Sequence, residues 1–170
     1  MKSIVKLGVT LFVVCALAAG SLAFFYSLTE KPIARQRELE TQDALTKVAP
    51  EATEFRVVEK DAIWEALKDG SSVGRVLAIK AKGYGGPIGM VVGIGADGRL
   101  TGVRVVSQTE TPGLGNKVST EPFLRQFVGL GSQDLWLRKD SSQGKVDAIS
   151  AATISSRAVT AALRAAAGGQ

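Results

Sequence analysis

The stretch 7–28 (LGVTLFVVCALAAGSLAFFYSL) contains no charged residue, and it constrains the chain more than any other feature. As a helix it is about 33 Å long, against a hydrocarbon core of about 30 Å, so it is long enough to span a bilayer. Lys2 and Lys6 precede it. Positive charge at the entry side favours the cytoplasm, which predicts the N-terminus inside and the bulk of the chain outside, in a bacterium the periplasm. Residues 21–23 offer a small-x-small cleavage site, but the run is longer than a signal-peptide core and ends in Phe24, Phe25 and Tyr26, which suit an interfacial belt. The expectation is an uncleaved, single-pass anchor over residues 1–28. Cys15 follows Phe12, Val13 and Val14 rather than the small residues that precede a lipidated cysteine, and reads as an apolar residue facing lipid or a partner helix.

With the anchor set aside, a chain of 170 residues has room for one ordinary domain. The 21 basic and 16 acidic residues are interleaved along it, and no Lys/Arg block forms a nucleic-acid stripe. Histidine is absent, which removes catalytic triads and zinc-hydrolase motifs, and no metal site is expected. A single cysteine, placed in the apolar run, supplies neither a disulfide nor the ligands of an iron–sulfur cluster. If this chain handles electrons, it does so with an organic cofactor.

Residues 29–50 are polar and helix-permissive, with Pro32 suited to a first turn and Ile33, Leu39, Leu45 and Val48 as sparse apolar positions. They predict a helical stalk ended by Ala49-Pro50. The period changes at 72–81 (SVGRVLAIKA) and 88–96 (IGMVVGIGA), both rich in Val and Ile, and Asp97-Gly98 turns into 100–106 (LTGVRVV). Helical signals return at 121–128, where Pro122 fits a first turn, and at 155–167, where Val159 and Leu163 stand one turn apart. The fold class is α+β: an N-terminal transmembrane helix and stalk, then one domain over 51–170 with an antiparallel-rich sheet flanked by helices. Residues 168–170 read as a frayed end.

Three places stand out. The turn 83–87 (GYGGP) joins two strands, and its glycines let the backbone bend freely or approach a flat ligand. The segment 110–115 (ETPGLG) leaves a strand; Pro112-Gly113 sets a tight turn and Gly115 frees backbone amides. Neither has the spacing of a dinucleotide fingerprint. The third, 147–156 (DAISAATISS), sets four hydroxyl side chains ahead of the final helical signal. Two readings of it stand side by side: Thr153 or Ser155 caps the helix, contributing about 1 kcal/mol, or the free amides and positive dipole end hold a phosphate attached to one of these hydroxyls.

Together the stretches 82–118 (KGYGGPIGMVVGIGADGRLTGVRVVSQTETPGLGNKV) and 147–159 (DAISAATISSRAV) resemble the FMN-binding G subunit of the Rnf (Rsx) electron-transport complex, over nearly the whole chain. More distantly, the chain is similar to the C subunit of the sodium-pumping NADH:quinone oxidoreductase. In these families FMN is joined by a phosphoester bond to the threonine of a motif close to S-G-A-T-x-S, which aligns with Thr153 in the run Ser150, Ala151, Ala152, Thr153, Ile154, Ser155. The resemblance implies one covalent FMN at Thr153, with Ser150, Ala152 and Ser155 around it, attached outside the cytoplasm by a flavin transferase that reads Asp147. It implies that Glu110, Thr111, Gly113, Leu114 and Gly115 border the isoalloxazine ring, with Tyr84 and Gly85 nearby. Asp147 has an alternative role, capping its own turn. Ala151 departs from the usual glycine; if that position needs positive φ, alanine costs about 1 kcal/mol.

The implied function is an electron relay without a complete active site of its own, partnered by the other subunits of a ferredoxin:NAD oxidoreductase complex that moves ions across the bacterial inner membrane. The alternatives are the C subunit of the quinone reductase and a sensor domain that binds free flavin or a wall polymer.

Overall fold

Val, Ile and Gly dominate the middle of the chain, and there five strands pair with their sequence neighbours in an antiparallel meander, ordered β1-β2-β3-β4-β5. The computed structural model describes residues 2–169, with side-chain surroundings for 4–26, 28, 29 and 40–169. Contacts divide the chain into two units, Met1–Glu40 and Thr41–Gln170.

The first unit is helical and belongs to α1 (Lys2–Val48). Its segment Ile4–Tyr26 is long and apolar enough to cross a membrane, and its side chains, Cys15 included, have no cover from the rest of the chain. The hydroxyls in this stretch turn inward on their own helix: Thr10 donates to the Lys6 carbonyl and Ser21 to that of Ala18, both at 2.9 Å. Such bonds let a helix carry hydroxyls through hydrocarbon without leaving a polar group unpaired. The residues expected to form a helical stalk, 29–50, are helical as far as Val48 as part of α1, whose backbone runs through position 32, so Pro32 stands within the helix rather than in a first turn. The helix-favouring sequence on either side propagates the helix past the one amide that proline removes. The side chains of Ile33 and Leu39 lie outside the described residues.

In the second unit the sheet comprises β1 (Glu54–Glu59), β2 (Ile63–Lys68), β3 (Ser71–Lys82), β4 (Pro87–Gly95) and β5 (Leu100–Ser107). Every residue of β4 from Ile88 to Ile94 is buried because both faces of the sheet are covered. On one face Ala44, Leu45 and Val48, the end of α1, pack on Trp64, Ala66, Val76 and Val91. On the other, Ile88, Met90, Val92, Ile94 and Leu100 meet Phe123, Phe127, Leu135, Leu137, Val159 and Leu163.

The docking of α1 is built into two glycines. Gly93 and Gly102 are cross-strand partners, and a Cβ on Gly93 would sit 2.2 Å from the Val48 carbonyl oxygen, one on Gly102 2.7 Å from the Val48 Cα. The register skips from Gly93↔Gly102 to Ile94↔Leu100, so Thr101 is the extra residue of a bulge, and its hydroxyl donates to the Val48 carbonyl at 2.6 Å. The bulge thus supplies the donor that the helix C-terminus lacks.

After β5 come 3₁₀ turns at Gly115–Ser119, Arg125–Phe127 and Ser132–Asp134, the single-turn α2 (Glu121–Leu124), and α3 (Thr153–Gly168). The expected helix over 121–128 is therefore one α turn tightening into 3₁₀. In α3 the buried positions Ser155, Ser156, Val159, Thr160, Leu163 and Ala167 recur at about one-turn spacing and form the stripe that faces the sheet. The end of α3 is tied down rather than frayed, since Arg75 donates to the Gly169 carbonyl at 2.9 Å; Gln170 lies outside the described residues.

Candidate functional site

Strand register determines where the distant glycine-rich turns meet. Lys82 pairs with Pro87 at the mouth of the 83–86 turn, and Gly89 pairs with Ser107, so β5 ends beside that turn and hands the chain directly to 108–114. The start of α3 closes the third side. The result is a cleft of about 320 Å³ lined by Tyr84, Glu110, Thr111, Leu114, Gly115, Ala152, Thr153 and Ser155 among the anticipated residues, and by Ala151 and Ile154 besides. Gly85, Gly113 and Ser150 stand outside its wall. Gly113 holds the turn at φ +80, and Ser150 is exposed in the turn before α3.

Glu110 knots the three segments together. It is buried, and its carboxylate accepts the Gly85 amide at 3.0 Å on one oxygen and the Ser155 hydroxyl at 2.6 Å on the other. A Cβ on Gly83 would stand 2.1 Å from Oε1, and one on Gly115 would stand 2.4 Å from Oε2. The small residue at 115 makes room for this carboxylate, where the sequence had indicated freed amides. Without those two glycines the carboxylate has no place between the turns.

The hydroxyls before and within α3 divide their tasks differently from simple capping. The N-cap position is Ala152, with no side-chain cap. Ser155 is committed to Glu110, and Ser156 accepts the Ile149 amide at 3.0 Å while donating to the Ala152 carbonyl at 2.9 Å. The capping expectation for Thr153 and Ser155 thus gives way, because Thr153 is itself the first helical residue and Ser155 has turned to a buried carboxylate. Among the described residues, the first amide of α3 to find a carbonyl is that of Ser156; those of Thr153, Ile154 and Ser155 have no partner in the chain. Ala151 adopts φ +63, the left-handed conformation for which glycine is the unstrained residue.

Lys139, which the sequence did not single out, donates a hydrogen bond to Thr153 Oγ1. The loop that carries it leaves and rejoins the fold at a parallel bridge between Leu137 and Val146. It is fastened to α3 by Asp140, whose carboxylate accepts from Arg157 Nε at 2.7 Å and Nη2 at 2.8 Å. The bonds and charge of Arg157 hold the Asp140 carboxyl below the usual carboxylate range, and the same pairing raises Arg157. No short-range sequence signal marks this loop: RKDSSQGK has neither period nor motif, and its position is visible only once the bridge and clamp are formed. Asp147 does not cap its own turn. Its carboxylate pairs with Arg138 at 3.3 Å, while its amide donates to Gln126 Oε1 at 2.7 Å.

These features fit a flavin phosphate. Unpaired amides at a helix start and an ammonium beside the threonine suit the anion. Tyr84, Leu114 and Ile154, all substantially exposed, offer the apolar flanks that a flat ring needs.

Residues 83–168 match the FMN-binding domain family, and residues 1–48 match the RnfG N-terminal region. The G subunit of the ion-translocating oxidoreductase complex of Methanosarcina acetivorans is 35% identical, over 97% of this chain and 93% of its own length. The chain belongs to this G-subunit family. A further relative, the G subunit of the proton-translocating ferredoxin:NAD(+) oxidoreductase complex of Clostridium ljungdahlii, is 33% identical over 94% of this chain and 87% of its own length. Among solved structures, the C subunit of the Na(+)-translocating NADH-quinone reductase of Parabacteroides distasonis superposes with a TM-score of 0.51 at 27% identity, covering 60% of this chain and 56% of its own. Shewanella oneidensis NqrC shares the fold at a TM-score of 0.50 and 23% identity, over 68% of this chain and 65% of its own.

Proposed function

We propose that this chain is the membrane-anchored flavoprotein subunit of an ion-translocating ferredoxin:NAD oxidoreductase complex, and that it relays electrons through one FMN carried covalently on Thr153. The observation that carries the proposal is the position of Thr153. It is the first residue of α3, stands beside three unpaired amides, touches an ammonium and lines the wall of the cleft. A phosphoester there takes over the anionic role that a capping side chain would otherwise serve.

FMN supplies the electron-carrying chemistry when bound; the residues of this chain hold and orient it. Glu110, through Gly85 and Ser155, keeps the two turns and the helix start in register. Tyr84, Thr111 and Leu114 form the side on which a ring rests. The exposed carboxylate of Asp147 is available to a flavin transferase, the enzyme proposed to make the attachment. With Lys2 and Lys6 before the span, the second unit lies on the periplasmic face of the inner membrane, in contact with the other subunits of the complex.

The test is the full chain coexpressed with a flavin transferase and examined after denaturation. Wild type retains in-gel flavin fluorescence and gains the mass of one FMN on the peptide containing Thr153, and Thr153→Val loses both. Undiminished fluorescence in Thr153→Val would sink the assignment. The likeness to the C subunit of the quinone reductase favours a second reading, which copurification distinguishes: ferredoxin-linked iron–sulfur subunits support the first, quinone-reductase subunits the second.

A further inference from the structure

An ammonium beside the first residue of a helix is electrostatically misplaced. The amides there present partial positive charge, so a helix start favours acceptors and anions, and a lysine at that end works against the dipole. Lys139 nevertheless donates to Thr153 Oγ1. The neighbouring cations do not share this situation: Arg138 pairs with Asp147, Lys145 with Asp134 and Arg157 with Asp140. Among the described residues Lys139 forms no direct ion pair; its charge acts only at longer range on Asp140, whose two carboxylate oxygens are engaged by Arg157. The loop that carries it is held to α3, because the adjacent Asp140 is engaged in bidentate fashion by Arg157, one turn along α3 from Thr153. The helix that presents the hydroxyl therefore also holds the loop that presents the cation. Such a local conflict, kept in register by a dedicated clamp, marks a site built for a missing charge.

We propose that Lys139 is the counter-cation of the phosphate attached at Thr153 and sets how readily that hydroxyl is loaded. The inference rests on the reading of Thr153 as the attachment residue. A phosphate esterified to both threonine and the flavin ribityl chain keeps one negative charge at neutral pH, matching one ammonium. Loading from a flavin dinucleotide forms a P–O bond to Oγ1 and breaks the P–O bond of the pyrophosphate. The nucleoside monophosphate leaves, the hydroxyl proton passes to a base of the transferase, and no electrons change hands. Throughout, the phosphoryl oxygens carry negative charge that Lys139 is placed to offset. The hydrogen bond it already makes to Oγ1 also leaves the hydroxyl proton directed elsewhere.

The experiment uses the full chain, purified unloaded in detergent and incubated with a flavin transferase and a flavin dinucleotide, with adduct followed by intact mass. Lys139→Met is expected to load about tenfold more slowly, the scale of one charge-assisted hydrogen bond, and Lys139→Arg to retain most of the rate. A purely structural lysine would lower the melting temperature of the unloaded chain. The expectation here is an unloaded Lys139→Met at least as stable as wild type, and a smaller rise on loading. Should that variant not fold, Lys139→Gln is measured in its place. Wild-type loading and a wild-type rise in Lys139→Met, with Thr153→Val blank, overturn this inference alone. No adduct on wild type, or an adduct that survives Thr153→Val, overturns the parent reading and this one with it.

Discussion

At the scale of single residues, Glu110 and Ala151 show how closely this cleft is fitted. Replacing Glu110 by Ala leaves the Gly85 amide and the buried Ser155 hydroxyl without their acceptor and opens a space between Gly83 and Gly115. The expected loss is about 2 kcal/mol, measurable by chemical denaturation of the detergent-purified chain, because an unsatisfied buried donor costs most of its desolvation penalty. Ala151 offers the opposite sign. Its φ of +63 is unstrained for glycine, so Ala151→Gly is expected to stabilise the chain by about 0.5–1 kcal/mol, after the greater entropy of unfolded glycine is subtracted. A lowered melting temperature in Ala151→Gly would contradict this. The positive φ was legible in the sequence only through comparison with a motif that has glycine there. The role of Gly115 was not, because the carboxylate that needs its space belongs to Glu110 and reaches it only after the turn has closed.

Among the elements, β3, β4 and β5 were legible because Val and Ile recur in short runs and a turn dipeptide joins the last two. The strands β1 (EFRVVE) and β2 (IWEALK) were not. In β2, Glu, Ala, Leu and Lys favour helices in isolation, and that strand owes its state to pairing with β1, whose Phe55, Val57 and Val58 do favour strand: Arg56 and Glu65 are cross-strand partners joined at 3.3 Å. The loop 138–145 was illegible for a different reason, since it is held by the Leu137–Val146 bridge and the Asp140–Arg157 pair. Its clamp yields a pH prediction. The folded-state pKa of Asp140 is depressed, chiefly by hydrogen bonds from Arg157, so its contribution is full above the ordinary value of about 3.9 and is lost as pH falls through the folded value. Wild type and Asp140→Asn should therefore differ in melting temperature near neutrality and converge as pH falls through the depressed folded-state value. A gap that persists unchanged in acid would show that Asp140 acts through packing instead.

For the molecule as a whole, the division at Thr41 matters more than the end of the apolar run. The last turns of α1 belong to the core of the second unit, where Ala44, Leu45 and Val48 are buried against the sheet. A chain begun at Thr41 is expected to be soluble and to unfold cooperatively. One begun at Glu51 forfeits burial amounting to about 4 kcal/mol, a large share of the stability of an ordinary domain. Equal denaturation midpoints for the two truncations would refute the role assigned to this helix end. The apolar segment itself was plain in the sequence, because an uncharged run of that length is long enough to cross a bilayer.

The meander has a consequence for the order in which the molecule assembles. Each strand pairs only with its neighbour in sequence, so the sheet can zip up through short loops. The bond between Glu110 and Ser155 joins positions 45 residues apart and requires α3 to have returned across the sheet. On these grounds the strands form early and the cleft late. Weakening the meander then slows folding, whereas weakening the Glu110 knot chiefly hastens unfolding. The cleft is thereby expected to be the part of the second unit that closes last, and the tether proposed at Thr153 would stabilise it once closed.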